Sequence, residues 1–251
     1  DPYSFSIKTV RKKLAWFLFQ KKILKFSDLI IVNSLIEKNN IDNIFKNKKT
    51  AVISHGISNM KKNYNVRLRK DKKIRFVFFS RIHPVKNLKK LIDIWHNDNF
   101  FRNYELNIYG DIADDQYFKE LNKKIYLNNN ISYKGPLYKD KIKTLSKYDV
   151  FILPSVSENF GLVVLEALKA GLYLILNKNL PWGIIQKNEL GSLIKFDKKN
   201  LISIVNRVNR NKKIIFSKKR KKNINKFLRQ NFNWKKITEK YIKELNIIQN
   251  R

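Results

Sequence analysis

Residues 157–171 read SENFGLVVLEALKAG, two carboxylates, Glu158 and Glu166, set around a glycine and an otherwise apolar run. The chain has 20 acidic residues against 54 basic ones, so an acid inside an apolar stripe needs a stated partner. Buried and unpaired, it would cost several kcal/mol or take up a proton; hydroxyl or cationic partners keep it ionised. Gly161 falls in the first turn of the helix that this run predicts. Without a Cβ it lets a ligand approach the backbone N–H groups there, and those orphan donors at the positive helix end suit a phosphate. The plainer reading has Glu158 capping the helix and Glu166 paired with one of the lysines. A second set lies upstream in FVFFSRIHPVKNLKKLI, residues 76–92. It reads as a strand ending at Ser80, then Arg81, a turn through Pro84, Lys86, and a helix from Asn87. A guanidinium fork and an ammonium point charge at a strand's carboxyl end can grip a diphosphate. His83 shapes that turn in the plainer reading. His96 follows Trp95 on a helix and is peripheral.

These residues must be carried by the elements around them. Short apolar runs at 28–32, 50–54, 74–80, 104–110, 130–135, 149–153 and 172–176 read as buried strands. Helical patterns fill 87–97, 115–127, 138–147 and 161–170, with further helices after 198. Strands alternating with helices imply βαβ units and a parallel sheet covered on both faces. In such sheets ligands bind at the carboxyl ends of the strands. Both sets of residues lie there. Residues 58–73 are polar and rich in lysine and asparagine, and read as a linker.

Composition narrows the function. The 251 residues can fold one large or two modest domains, and no apolar run reaches the length of a membrane span. The absence of cysteine excludes disulfides and thiolate metal sites and fits a reducing compartment. The first residue is Asp1 rather than Met, so further chain upstream is expected. A net charge of +34 suits a nucleic-acid-binding module or an anionic membrane surface, or reflects lysines dispersed over solvated faces. Nucleic acid is the weaker partner, because no nucleic-acid motif is present and the two glutamates would repel phosphate. The stretch Lys198 to Thr238 contains no acidic residue and includes the basic run Lys218, Lys219, Arg220, Lys221 and Lys222.

Together, Ser80-Arg81 with Lys86, and Glu158-Asn159-Phe160-Gly161 with Glu166, resemble the retaining nucleotide-sugar glycosyltransferases of GT-B fold, family 4, also called group 1. NIYGD (107–111), YKGPL (133–137), EALKAG (166–171) and LPW (180–182) extend the likeness, and upstream DPYSF with KKLAW, DLIIVNSLIEKNNI and SHGIS resemble the family's closing N-terminal-domain segment and its interdomain Asn-Gly-Val-Asp. Ser80 stands where glycine is commoner, which turns a close backbone approach into a hydroxyl contact. The resemblance implies a Rossmann-like parallel sheet with helices on both faces, the C-terminal half of a GT-B fold with its N-terminal domain largely missing. Residues 1–57 would be a remnant of the acceptor domain, 58–73 the linker, 74–232 the donor-binding domain, and 233–251 a C-terminal helix packing back toward the N-terminal domain.

By the same resemblance Arg81, Lys86 and Glu158 are the catalytic residues, with Arg81 and Lys86 on the donor diphosphate. Ser80 joins the donor site, Glu166 bonds the ribose hydroxyls, and Glu158 with Phe160 and Gly161 holds the donor sugar. The N–H groups of Leu162 and Val163 face the phosphates, and the base lies near Tyr133 and Lys134. The implied reaction is transfer from a UDP- or GDP-sugar to a saccharide or lipid-linked acceptor with retained configuration. Surface polysaccharide or glycolipid synthesis is the implied setting, in the cytoplasm or peripherally on the inner membrane face. No cofactor or metal is expected, since no Asp-x-Asp pair occurs. The 251 residues alone are expected to be inactive in transfer. A non-transferring relative such as a nucleotide-sugar epimerase is the alternative enzyme.

Overall fold

In the computed structural model, residues 9–46, 48–57 and 73–249 are described. They fall into two units, Asp1–Ser58 with Ser157–Phe160 and Gln230–Arg251, and Asn59–Val156 with Gly161–Arg229. The expected linker, apart from Lys73, lies outside the described residues. The expected domain 74–232 is crossed by the short segment Ser157–Phe160, which groups with the first unit.

The second unit is built on strands whose residues are apolar on both faces. They are β3 (Arg75–Phe79), β4 (Glu105–Tyr109), β5 (Ile131–Tyr133), β6 (Val150–Leu153), β7 (Tyr173–Asn177) and β8 (Gly191–Ile194). All pair in parallel, in the order β5-β4-β3-β6-β7-β8. Every residue of β6 is buried, as a sheet covered on both sides requires. Crossovers between parallel strands are right-handed. Because the order runs outward one way from β3 and the other way from β6, the helices after β3 and β4 cover one face and those after β6 and β7 the other. This is the Rossmann-like arrangement. Helix Leu88–His96 shows why the flanking helices form. It buries Leu88, Leu91, Ile92 and Trp95, the spacing of one helical face.

β8 is an element the sequence reading omitted. Its four residues begin with Gly191, and a Cβ there would stand 2.5 Å from the Leu174 carbonyl oxygen. The glycine permits close strand approach while hiding the strand from an apolar count.

The basic run also differs from expectation. Helix Lys218–Asn231 buries Arg220, Ile224, Phe227 and Leu228 on one stripe. The Arg220 guanidinium donates to four carbonyls, Gly171 at 3.3 Å, Ile215 at 3.2 Å, Leu172 at 3.1 Å and Leu190 at 2.9 Å. It also lies over the Tyr173 ring at 5.4 Å. Burial pulls its pKa down to about 10, which leaves it charged at neutral pH. Arg220 is therefore a fastener of the fold and is not part of the solvent-facing basic surface.

In the first unit, β1 (Ile30–Val32) and β2 (Thr50–Val52) pair in parallel around helix Leu35–Ile44. Ser34 caps that helix by accepting from the Glu37 N–H at 3.2 Å, and Glu37 in turn accepts from the Asn33 N–H at 2.8 Å. Ser-x-x-Glu is the sequence of a capping box, but here the glutamate reaches the N–H of the residue before the cap. Gly56 lies against the indole of Trp234, where a Cβ would stand 2.6 Å from the ring. Helical residues 9–26 pass through a π-helical turn at Trp16–Gln20 and expose Val10, Leu14, Phe17, Phe19, Ile23 and Phe26. Among the described residues no helix is long and apolar enough to cross a membrane.

Candidate functional site

β3 and β6 lie side by side at the centre of the sheet, Phe76 beside Val150 and Val77 beside Phe151. The strand order reverses between them, so their carboxyl ends open a crevice at the topological switch point. The loop after β3 runs through Ser80 and Arg81 into a 3₁₀ turn, Pro84–Lys86. His83 caps the turn, its Nδ1 accepting from the Val85 N–H at 3.2 Å. That gives His83 the shaping role. His96 is exposed and bonds to Asn128.

Two hydrogen bonds tie this loop to the one after β6. The Val156 N–H donates to the Val85 carbonyl at 2.9 Å, and the Asn87 side-chain amide donates to the Pro154 carbonyl at 3.3 Å. The loops therefore hold each other in register. Arg81 is exposed, whereas Lys86 is buried at 7% exposure, an unusual placement for an ammonium. Ser80 is buried, and its N–H donates to the Tyr109 carbonyl at 3.1 Å. The close approach here is made by Gly110, where a Cβ would stand 1.7 Å from the Ser80 carbonyl oxygen. A glycine at position 80 is thus not needed for the chain to pass.

The helix after β6 begins at Leu162, one residue into the span 161–170 read from sequence. Gly161 is its N-cap, at φ 83° and ψ 69°, a left-handed conformation that glycine adopts without strain. As a glycine, Gly161 has no side chain of its own to cap the helix. The first intrahelical acceptor contact is Val164 N–H to the Gly161 carbonyl at 2.9 Å, so the N–H groups of Leu162 and Val163 head the helix as donors. Leu162 is exposed and Val163 half-buried.

Glu166 lies at the edge of the helix's buried stripe of Val164, Leu165, Ala167 and Leu168. Its side chain is 23% exposed and pairs with Lys141, Nζ to Oε1 at 3.4 Å. The partner that this acid requires is therefore a cation. Lys141 starts the short helix Lys141–Leu145, and its ammonium also lies 5.6 Å from the centroid of the Phe79 ring, at the end of β3. Sequence reasoning missed Lys141. The only signal for it was an acid in want of a cation, and 54 basic residues could have answered. Burial lowers the pKa of Lys169, with Glu166 opposing the shift.

Tyr133 ends β5, and its hydroxyl donates to the Gly110 carbonyl at 2.8 Å while its ring packs on Phe118 at 4.7 Å. Burial first, and then the nearby Asp111 charge, raises its pKa, so it remains a protonated donor. Lys134 is exposed, its backbone N–H donating to the Ile108 carbonyl at 2.8 Å. The second unit thus brings Ser80, Arg81, Lys86, Gly161, Leu162, Val163 and Glu166 to the ends of β3 and β6, with Tyr133 and Lys134 at the end of β5. Glu158 and Phe160 belong to the first unit. There Phe160 is buried with its ring edge-on to His55 at 5.4 Å and to Phe232 at 6.0 Å.

The family model described as "Glycosyl transferases group 1" matches residues 59–227, the span that carries this crevice. The chain belongs to the group 1 glycosyl transferases. An uncharacterized 41.2 kDa protein in the cps region of Klebsiella pneumoniae is 28% identical over 212 residues, 80% of this chain and 57% of that protein. The GtfA subunit of a UDP-N-acetylglucosamine–peptide N-acetylglucosaminyltransferase from Streptococcus agalactiae is 30% identical over 119 residues, 46% of this chain and 23% of that protein. The chain therefore spans 57% and 23% of the lengths of these two relatives. Among solved structures, Anabaena Alr3699/HepE in complex with UDP and glucose is 21% identical with a TM-score of 0.78, covering 98% of this chain and 69% of that one. That likeness is one of fold. It matches the expected Rossmann-like half of a GT-B glycosyltransferase.

Proposed function

We propose that the crevice at the ends of β3 and β6 binds the nucleoside diphosphate of a nucleotide-sugar donor, and that the protein transfers the sugar to an acceptor hydroxyl with retained configuration. The observation that carries this reading is the placement, at the switch point, of Arg81, the buried Lys86 and the N-terminus of the helix that begins after Gly161. These groups meet the negative charge that develops on the leaving diphosphate. Glu166 accepts from the ribose hydroxyls, and Tyr133 and Lys134 border the base. The HepE structure in complex with UDP and glucose supports a UDP-sugar as the donor, and the relative from a cps region supports polysaccharide synthesis as the setting.

Calorimetric titration with UDP, GDP and ADP tests the donor site. Arg81→Ala and Lys86→Ala should each weaken the best-bound diphosphate by about 1.5–3 kcal/mol, the worth of a charge-assisted contact. Glu158→Gln should leave affinity for the sugar-free diphosphate unchanged. Parent-like affinity in both cation variants would remove Arg81 and Lys86 from the site.

We also infer that the basic C-terminal stretch meets anionic lipid. Ile214 is 70% exposed, with Lys213, Lys218, Lys219 and Lys222 exposed near it in sequence, whereas Ile224, Phe227 and Leu228 are buried. Each well-placed lysine near anionic headgroups gains on the order of 1 kcal/mol, screened by salt. Co-sedimentation with anionic vesicles should fall with salt and drop when Lys218, Lys219 and Lys222 are changed to Gln with Arg220 left intact. Equal sedimentation of that variant and the parent would remove the stretch as a lipid contact.

A further inference from the structure

We propose that Lys141 is a positioning residue for Glu166, holding its carboxylate in place for the ribose hydroxyls of a nucleoside diphosphate; this rests on the donor-site reading above. Three observations lead to it. Glu166 sits at the margin of an apolar helix face, where a carboxylate without a cation is disfavoured. Lys141 reaches it from a different helix, 3.4 Å from Oε1. The same ammonium lies over Phe79, the last residue of β3 and the one before Ser80 and Arg81.

The geometry suits a support better than a lock. Strong charge-assisted N–H···O bonds are about 2.7–2.9 Å long, so a 3.4 Å contact is an ion pair that gives way readily. A carboxylate has two oxygens and about four lone-pair directions. Lys141 engages Oε1 and leaves Oε2 for a hydroxyl donor. The attraction to the aromatic face of Phe79 gives the ammonium a second contact, so its position does not depend on Glu166 alone. Lys169, the one lysine on Glu166's own helix, lies one turn away, and burial lowers its pKa while Glu166 raises it. Lys141 is the cation that fits the task.

Support of Glu166 and direct contact with phosphate leave different signatures. A residue that acts through Glu166 matters only when the ligand has ribose hydroxyls to bind. A residue that touches phosphate matters for every diphosphate. The test is calorimetric titration of the full chain with UDP, GDP and ADP, then with the 2′,3′-dideoxy form of the tightest binder. Variants are Lys141→Met, Lys141→Gln, Lys141→Arg, Glu166→Gln and the Lys141→Met/Glu166→Gln double.

Lys141→Met and Lys141→Gln should each weaken the ribonucleotide about three- to five-fold, the scale of a partly exposed ion pair. Both should leave the dideoxy form unchanged, and Lys141→Arg should restore the ribonucleotide. In the Glu166→Gln background, Lys141→Met should have no further effect. Equal weakening of ribo- and dideoxynucleotide would make Lys141 a phosphate ligand and overturn the proposal, as would parent-like affinity in the Met and Gln variants. A parent that binds the diphosphate without preferring ribose overturns the Glu166 assignment and this proposal while sparing the diphosphate site. A parent that binds none of the three overturns the donor reading and this proposal with it.

Discussion

Gly110→Ala should destroy the crevice proposed for the donor, because the added Cβ would stand 1.7 Å from the Ser80 carbonyl oxygen and 2.7 Å from its carbonyl carbon. Both obstacles are backbone atoms, so no rotamer change relieves the overlap. Ser80 is held in turn by its N–H bond to Tyr109, and β3 pairs with β4 along its whole length up to Phe79 beside Tyr109. Moving either strand end breaks that ladder next to Arg81. The expected loss is about 4 kcal/mol or more, above the roughly 1–3 kcal/mol usual for overpacking, because backbone atoms rather than side chains stand in the way. Gly135→Ala is the control. Gly135 also has a positive φ, +81°, but a Cβ there meets nothing within 4 Å. It should cost only about 1–2 kcal/mol of backbone strain. Urea midpoints of the two variants check the contrast, and equal stability of Gly110→Ala and the parent would refute the packing described.

Arg220→Met should be the next most damaging change, at about 3–5 kcal/mol. The guanidinium holds carbonyls of Gly171, Leu172, Leu190 and Ile215, so its removal strands acceptors at the entrances to β7 and β8. Methionine can fill much of the space but donates no hydrogen bond. Lys222→Met, two residues along on the exposed side, should stay within about 0.5 kcal/mol of the parent. Thermal or urea unfolding separates the two. Similar stability for Arg220→Met and Lys222→Met would mean that the buried contacts are not made.

These two residues mark where the sequence was and was not readable. Strands β3, β6 and β7 were legible because a strand buried on both faces must be a short apolar run between turn residues. Gly110 was legible as a strand-end glycine, but its demand comes from Ser80, 30 residues earlier in the chain, and only the paired strands reveal it. Arg220 looked like one more charge in a run of five basic residues. The helical spacing of 220, 224, 227 and 228 could have shown it on the buried stripe, had a cation been allowed there. Arg81, Lys86, Gly161 and Glu166 were legible as a set because their order around predicted strand ends is unusual. Lys141 was not, since an ion pair between two helices leaves no local pattern. β8 was lost for a similar reason. Its glycine serves Leu174 on the neighbouring strand.

The central claim, that the crevice between the ends of β3 and β6 holds a nucleoside diphosphate, is tested most directly by a crystal structure of the chain with its tightest-binding diphosphate. The phosphates should lie beside Arg81 and Lys86, within hydrogen-bond reach of the Leu162 and Val163 N–H groups, with the ribose hydroxyls on Glu166. A diphosphate bound elsewhere on the basic surface, with this crevice empty, would contradict the account.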